Sequence, residues 1–245
     1  MVRKSGKAAS LKQRMARGER IVGVLLDFSY DRAGLERVLG KGSYDLVWTD
    51  GQHTPLNEER LAAFCATAQE LDIPVVFRIK PTPHTYMAGP YLDMGCSGIM
   101  VPDVVDEATV DEAIARFYYP PLGRRHWGGE GRVGSAERSD RLGYARWWNE
   151  YGILWLQLES VEGVINARRF AKKGVDCISF GAADLSFSLE SHPHFPVRTV
   201  DECVPLVASQ LKGTGVALGF TSAVPEERDR YAKMGVTVHL ERPLE

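Results

Sequence analysis

The chain has 245 residues, 44% hydrophobic and 25% charged, and its 30 basic and 32 acidic side chains leave a formal net charge of −2. That length suffices for one large α/β domain with a sizeable core. The charge balance excludes a general attraction to nucleic acid or to an anionic membrane, so any preference for anions has to be local. No apolar run approaches the ~18 residues of a membrane span, and the basic start Met1 to Lys7 leads into Ala8-Ala9-Ser10-Leu11-Lys12, not into the apolar core of a signal peptide. A soluble, cytoplasmic protein is expected. Cys65, Cys96, Cys177 and Cys203 show no CxxC spacing, and three of them fall inside predicted helices or strands. They read as reduced, buried thiols and not as disulfides or zinc ligands.

Short β-branched or aliphatic runs recur along the chain: Ile21 to Leu26, Leu46 to Thr49, Val75 to Ile79, Gly98 to Val101, Ile153 to Leu158, Cys177 to Phe180, Val216 to Phe220 and Val236 to His239. Helical spacing separates them, as in Leu61, Phe64, Cys65, Ala68, Leu71 and in Val161, Val164, Ile165, Ala171. Strands alternating with helices predict right-handed crossovers and a parallel sheet. Eight such units most simply close into a (β/α)8 TIM barrel of the α/β class, spanning residues 1–245 as one domain, with its reactive face at the C-terminal ends of the strands. A doubly wound open sheet is the alternative.

One long irregular stretch is predicted, Pro120 to Arg146, carrying Arg124, Arg125, Arg132, Arg138, Arg141 and Arg146. Its Gly129, Gly131 and Gly134 match GxGxxG, yet no strand precedes them, which speaks for a flexible loop over a dinucleotide site. The arginines have two readings: solvated surface or subunit contact, or recognition of a carboxylate or phosphate by a planar guanidinium. His126, beside two of them, is a candidate substrate contact.

Charged residues gather where predicted strands end, which packing alone does not explain. Glu159 follows Leu158, and Asp184 follows Phe180 by a short Gly-Ala-Ala turn. Two hard oxygen ligands at adjacent strand ends, completed by water, suit Mg²⁺ or Mn²⁺, with Co²⁺ a further option. Otherwise Glu159 caps the next helix and Asp184 opens a turn. His53 lies three residues beyond Asp50, and an imidazole held by a carboxylate can move a proton near neutral pH; the bland reading is a loop cap. Arg78 closes the third strand, where a cation can hold an anionic substrate or a developing oxyanion, or pair with Asp50. Asp93, in Leu92-Asp93-Met94-Gly95, is a helix-end carboxylate able to reach a neighbouring site or a plain surface acid.

Several segments together carry a family resemblance: Tyr44-Asp45 through Asp50-Gly51-Gln52-His53-Thr54-Pro55, Leu92 to Pro102, Tyr119 to Arg125, Gln157-Leu158-Glu159 and Gly181 to Ser186. In this order they resemble the HpcH/HpaI aldolases, metal-dependent class II pyruvate aldolases of the phosphoenolpyruvate-binding barrel superfamily. The resemblance implies that Glu159 and Asp184 ligate the divalent ion and that Arg78 holds the enolate oxygen. It implies further that His53, oriented by Asp50, is the acid–base group, and that Asp93 supports this pair from a neighbouring subunit of a homo-oligomer. Arg78, Arg125, Gln157, Gly181, Ala182 and Ala183 become the substrate-binding set.

By the same resemblance the substrates are pyruvate or oxaloacetate and an aldehyde, and the reaction makes or breaks a 4-hydroxy-2-oxo acid. Gly123 to Arg125 is also similar to macrophomate synthase, a relative that adds an enolate to its acceptor, so an oxaloacetate decarboxylase or an enolate-adding biosynthetic enzyme is the alternative. Departures from the family pattern are Gln52 for the acid of its Gly-Glu-His motif, Ala182 for the proline of its Gly-Pro-Ala-Asp motif, and Leu25 for a tryptophan of some members. The chain ends at Glu241-Arg242-Pro243-Leu244-Glu245, where the family continues into a helix exchanged between subunits, so that helix is expected to be missing or short. These departures keep open a non-catalytic binding protein on the same barrel.

Overall fold

The computed structural model describes residues 9–222 and 224–244; the basic run Met1 to Lys7 and the terminal Glu245 lie outside them. In chain order the elements are α1 (Leu11–Ala16), β1 (Ile21–Leu25), α2 (Arg32–Lys41), β2 (Leu46–Asp50), α3 (Glu58–Glu70), β3 (Val75–Arg78), α4 (Ala88–Asp93), β4 (Gly98–Val101) and α5 (Glu107–Phe117). They continue with α6 (Arg141–Tyr151), β5 (Ile153–Leu158), α7 (Val161–Phe170), β6 (Cys177–Phe180), α8 (Ala182–Ser191), α9 (Val200–Leu211), β7 (Ala217–Thr221), α10 (Arg228–Lys233) and β8 (Val238–Glu241). Each strand pairs in parallel with the next, and β8 returns to β1, so the described residues form a closed eight-stranded barrel. This is the expected TIM barrel, and closure removes the open-sheet alternative.

Parallel strands covered by helices are buried on both faces, which is why β5 is apolar almost throughout and buried throughout. One side of each strand fills the barrel: Ile21, Leu46, Val76, Ile153, Trp155 and Val238 form an inner cluster, joined by Met15 of α1. The other side packs beneath the helices. Helix starts follow the local chemistry of their caps. Asp31, Asn57, Asp106, Asp140 and Ser160 each accept a hydrogen bond from a first-turn amide, and Ser10 and Thr199 form reciprocal boxes with Gln13 and Glu202. α1 is fastened by Lys12, whose ammonium donates to the Tyr118 hydroxyl at 2.6 Å, to the Gly152 carbonyl at 2.8 Å and to the buried Asp176 carboxylate at 3.0 Å.

The long stretch differs from the sequence reading. Its last part, from Arg141, is helix α6, which Asp140 caps. The preceding loop is pinned, not loose: Arg132 lies over the rings of Trp127 and Tyr144, Arg138 over Trp147, and Arg141 over Trp127. Guanidinium groups stacked on ring faces keep part of their hydration while holding the loop. The four cysteines are free and buried, as expected. Cys65 and Cys96 lie 3.7 Å apart. Among the described residues no helix is long and apolar enough to cross a membrane.

Candidate active site

The strand ends place their charges around one cavity of about 310 Å³ at the C-terminal mouth of the barrel. Its polar lining comes from His53, Arg78, Gln157, Glu159, Ser179, Asp184 and Thr221, and its turn from Gly181, Ala182 and Ala183. A larger cleft of about 590 Å³ lies near Arg20, Asp45 and Arg228. There Arg20 pairs with Asp229, Arg14 with Asp45, and Arg228 with Glu241, which leaves little for a ligand.

Arg78 organises the mouth. It ends β3 opposite Asp50, its register partner at the end of β2, and its Nε donates to Asp50 Oδ1 at 2.8 Å. One Nη1 donates to Gln157 Oε1 at 3.2 Å and lies 3.9 Å from Glu159 Oε1, while the guanidinium carbon sits 5.0 Å from the centre of the Trp48 ring. Burial pushes the Asp50 carboxyl up, but the hydrogen bond and charge of Arg78 and the Gln52 and His53 amides outweigh it and hold the group below its ordinary value.

Asp50 therefore grips the loop that carries His53, and it does so through the backbone. Its carboxylate accepts from the Gln52 amide at 2.8 Å and from the His53 amide at 3.3 Å, and the Thr54 hydroxyl donates to its carbonyl. No hydrogen bond joins Asp50 to the imidazole, in contrast to the ring contact the sequence suggested; the two carboxylate oxygens are already taken by Arg78 and the amides. His53 is exposed at the rim.

Glu159 is the unusual group. It follows β5 directly, its side chain is 4% exposed, and its Oε1 is buried without a hydrogen-bond partner among the described residues. Burial raises its pKa to about 7; Arg78 pulls the other way, and the charges of Asp184 and Asp103 push it further up. Gly181 leaves room beside it: a Cβ there would collide with Oε1 of Glu159. Gly181 also stands at the N-cap of α8 without a side chain to cap it, so the first amides of that helix face the cavity without a capping side chain, a setting that favours anions. Asp184 lies in the first turn of the same helix. An orphaned buried oxygen, a second carboxylate beside it and the hard chemistry of both fit a divalent cation.

Asp93 and Arg125 are not brought to this cavity. Arg125 is 0% exposed in its side chain, donates to Asp93 Oδ1 at 2.6 Å, and lies between the rings of Tyr119 and Trp148. Burial raises the Asp93 pKa, with Arg125 opposing. Residues missed by the sequence reading are Trp48, Met100, Ser179, Phe180, Thr221 and Leu240, which line the cavity. Trp48 is two residues before Asp50, so period-two alternation along β2 could have placed it on the same face.

A model of the HpcH/HpaI aldolase/citrate lyase family matches residues 31–239. The chain belongs to this family. Among HpcH/HpaI relatives, a hydroxypyruvate/pyruvate aldolase of Delftia acidovorans is 29% identical over 231 residues, covering 93% of this chain and 84% of that protein. The crystal structure of an HpcH/HpaI aldolase from Desulfitobacterium hafniense superposes with a TM-score of 0.83 at 25% identity, covering 96% of this chain and 90% of that one. Macrophomate synthase shares the fold, with a TM-score of 0.77 at 22% identity over 95% of this chain and 83% of its own.

Proposed function

We propose that this HpcH/HpaI chain is a divalent-metal-dependent aldolase, a carbon–carbon lyase that cleaves or forms a 4-hydroxy-2-oxo acid through the enolate of pyruvate, with an aldehyde as the other product. The observation that carries the reading is Glu159 Oε1, buried and unpartnered at the mouth beside Asp184. These two carboxylates would hold Mg²⁺, Mn²⁺ or a similar ion such as Co²⁺, which supplies Lewis acidity toward the oxo-acid oxygens.

The remaining work falls to the chain. The uncapped amides of Ala182 and Ala183 receive the substrate carboxylate. Arg78, held from four sides, meets the charge that develops on the 2-oxo oxygen as the bond breaks, and its fixed place means that little reorganisation is needed at that moment. His53 takes the proton of the 4-hydroxyl, the C3–C4 electron pair passes into the enolate, the aldehyde leaves, and the same proton returns to C3 to give pyruvate. Asp50 keeps His53 at the rim by holding its backbone, so Arg78 and His53 are set by one carboxylate. Asp93, paired with Arg125 in its own chain, would serve a neighbouring copy in a homo-oligomer. The four free thiols favour a reducing compartment such as the cytoplasm.

The test is proton NMR of pyruvate in D₂O with the purified chain, with Mg²⁺ and then with EDTA. Exchange of the methyl protons that needs the ion is expected, because exchange requires the enolate and no aldehyde. Absence of exchange in protein shown to bind the ion would defeat the aldolase reading. Loss of oxaloacetate without aldehyde-dependent products would then mark a decarboxylase, and no turnover of either acid would mark a binding protein.

A further inference from the structure

Asp103 lies at the end of β4, next to the end of β5 that carries Glu159: Val101 is the register partner of Leu156, and the Val104 amide donates to the Gln157 carbonyl at 3.2 Å. Its backbone φ is +49°, a left-handed conformation that side-chain-bearing residues adopt seldom and that Asn, Asp and Gly adopt most easily. Its carboxylate is half-buried, and among the described residues it has no ion pair and no hydrogen bond. Glu162, the other acid nearby, is more exposed and lies 3.7 Å from His192.

A left-handed turn is as well served by Asn or Gly, so the backbone gives no reason for a charge here. The surroundings give a reason against one: Asp184 and Glu162 both repel the Asp103 carboxylate, and Asp103 in turn repels Glu159. Three acids follow three successive strands, one of them with a buried oxygen that has no hydrogen-bond partner, and among the described residues the guanidinium of Arg78 reaches only Glu159 of the three, at 3.9 Å, while it is itself taken by Asp50. Such an excess of negative charge is relieved by a cation of more than one charge.

We infer that Asp103 is a third carboxylate of the cation site, acting on the ion through its field and its hydration and not as an inner ligand. It is a positioning residue, and the inference rests on the reading of Glu159 and Asp184 as the ligands. Nothing in the fold of β4 depends on the charge, so the substitution Asp103→Asn removes it while keeping the turn, and Asp103→Gly does the same with no side chain.

The experiment is calorimetric titration of the whole chain with Mn²⁺ at low salt. Asp103→Asn is expected to weaken Mn²⁺ binding by roughly 3- to 30-fold, the range for one carboxylate and a dication across a partly screened gap. That ratio should shrink as salt is raised from about 20 mM to about 0.5 M, as a field effect must; the Asp103 amide donates to the Glu159 carboxylate, so a role confined to the turn would change the affinity by a ratio that salt leaves unaltered, and such a result overturns the inference. Should the Asn variant fold poorly, Asp103→Gly is expected to give the same ratio. Equal Mn²⁺ affinity in wild type and a folded variant overturns the inference while leaving the aldolase reading intact. No Mn²⁺ binding by wild type overturns both.

Discussion

Replacing Glu159 by Gln should make the metal-free protein more stable, and by an amount that depends on pH. The native carboxyl has its pKa raised from the ordinary 4.5 to about 7 by burial, and each unit is worth about 1.4 kcal/mol. The native state therefore holds this proton more tightly than the unfolded chain. Stability from this group is fully present below about pH 4.5 and is lost as pH rises through about 7. The full shift amounts to about 3 kcal/mol, and screening by solvent at the open mouth reduces it to about 2.

Gln imitates the protonated form, so Glu159→Gln should gain about 2 kcal/mol over wild type between about pH 5 and about pH 8, or roughly 4–8 °C in melting temperature for a chain of this size. His239 titrates with the opposite sign, since burial lowers its pKa to about 4; its stabilising effect is lost as pH falls from about 6.5 through 4. It is common to both proteins and cancels in their difference. The assay is urea unfolding of both proteins in EDTA at the two pH values, repeated with Mn²⁺. Mn²⁺ at about a hundred times its dissociation constant should add about 2.7 kcal/mol to wild type alone. Stability differences that do not change with pH would refute the account of Glu159 as a buried carboxylate whose desolvation Arg78 does not offset.

Under the proposed function, in which the imidazole carries a proton and ligates no ion, His53→Ala should lower the rate of pyruvate methyl exchange by about 10²–10⁴-fold with Mn²⁺ affinity unchanged in titration. Gly181→Ala puts a methyl group against the Glu159 carboxylate and should weaken Mn²⁺ binding by about tenfold, the effect of modest overpacking, as read by the same titration. Lys12→Met leaves Asp176, whose side chain is 10% exposed, without its ammonium. Urea unfolding should show a loss of about 3–5 kcal/mol, with methyl exchange in the folded protein unaffected.

Strands were the most legible part of the sequence, since a run such as Ile153 to Leu158 has no polar face and must be buried on both sides. β7 and β8 lie slightly later than the runs Val216 to Phe220 and Val236 to His239 implied. Val216 is still held in the turn by the Thr214 hydroxyl, and Val236 bonds back to the Tyr231 carbonyl. Helix α6 was hidden by its arginines, although Tyr144, Trp147, Trp148 and Tyr151 stand at helical spacing and Asp140 is an N-cap residue. The gathering of His53, Arg78, Glu159 and Asp184 at one mouth was readable because each sits at a strand end. The exclusion of Arg125 was not, because its place depends on Tyr119 and Trp148, distant in sequence and brought together only by packing. Asp103, directly after Val101-Pro102, is open to the same strand-end logic.

The mouth of the barrel is divided. Its charges come from β2, β3 and the turns after β5 and β6, while Leu25 of β1 and Leu240 of β8 form an apolar wall on the seam where the barrel closes. Gly23 of β1 pairs with Leu240, and Leu25 pairs with Trp48, so the wall is continuous with the ring that backs Arg78. Positions that share no partner respond to substitution nearly independently. Leu25 shares Trp48 with Arg78, so a change there reaches the charged half; Leu240, set in register between Gly23 and Thr221, is the position from which the wall can be made larger or smaller, and under the proposed function it is where an engineer would begin to alter selectivity for the second substrate.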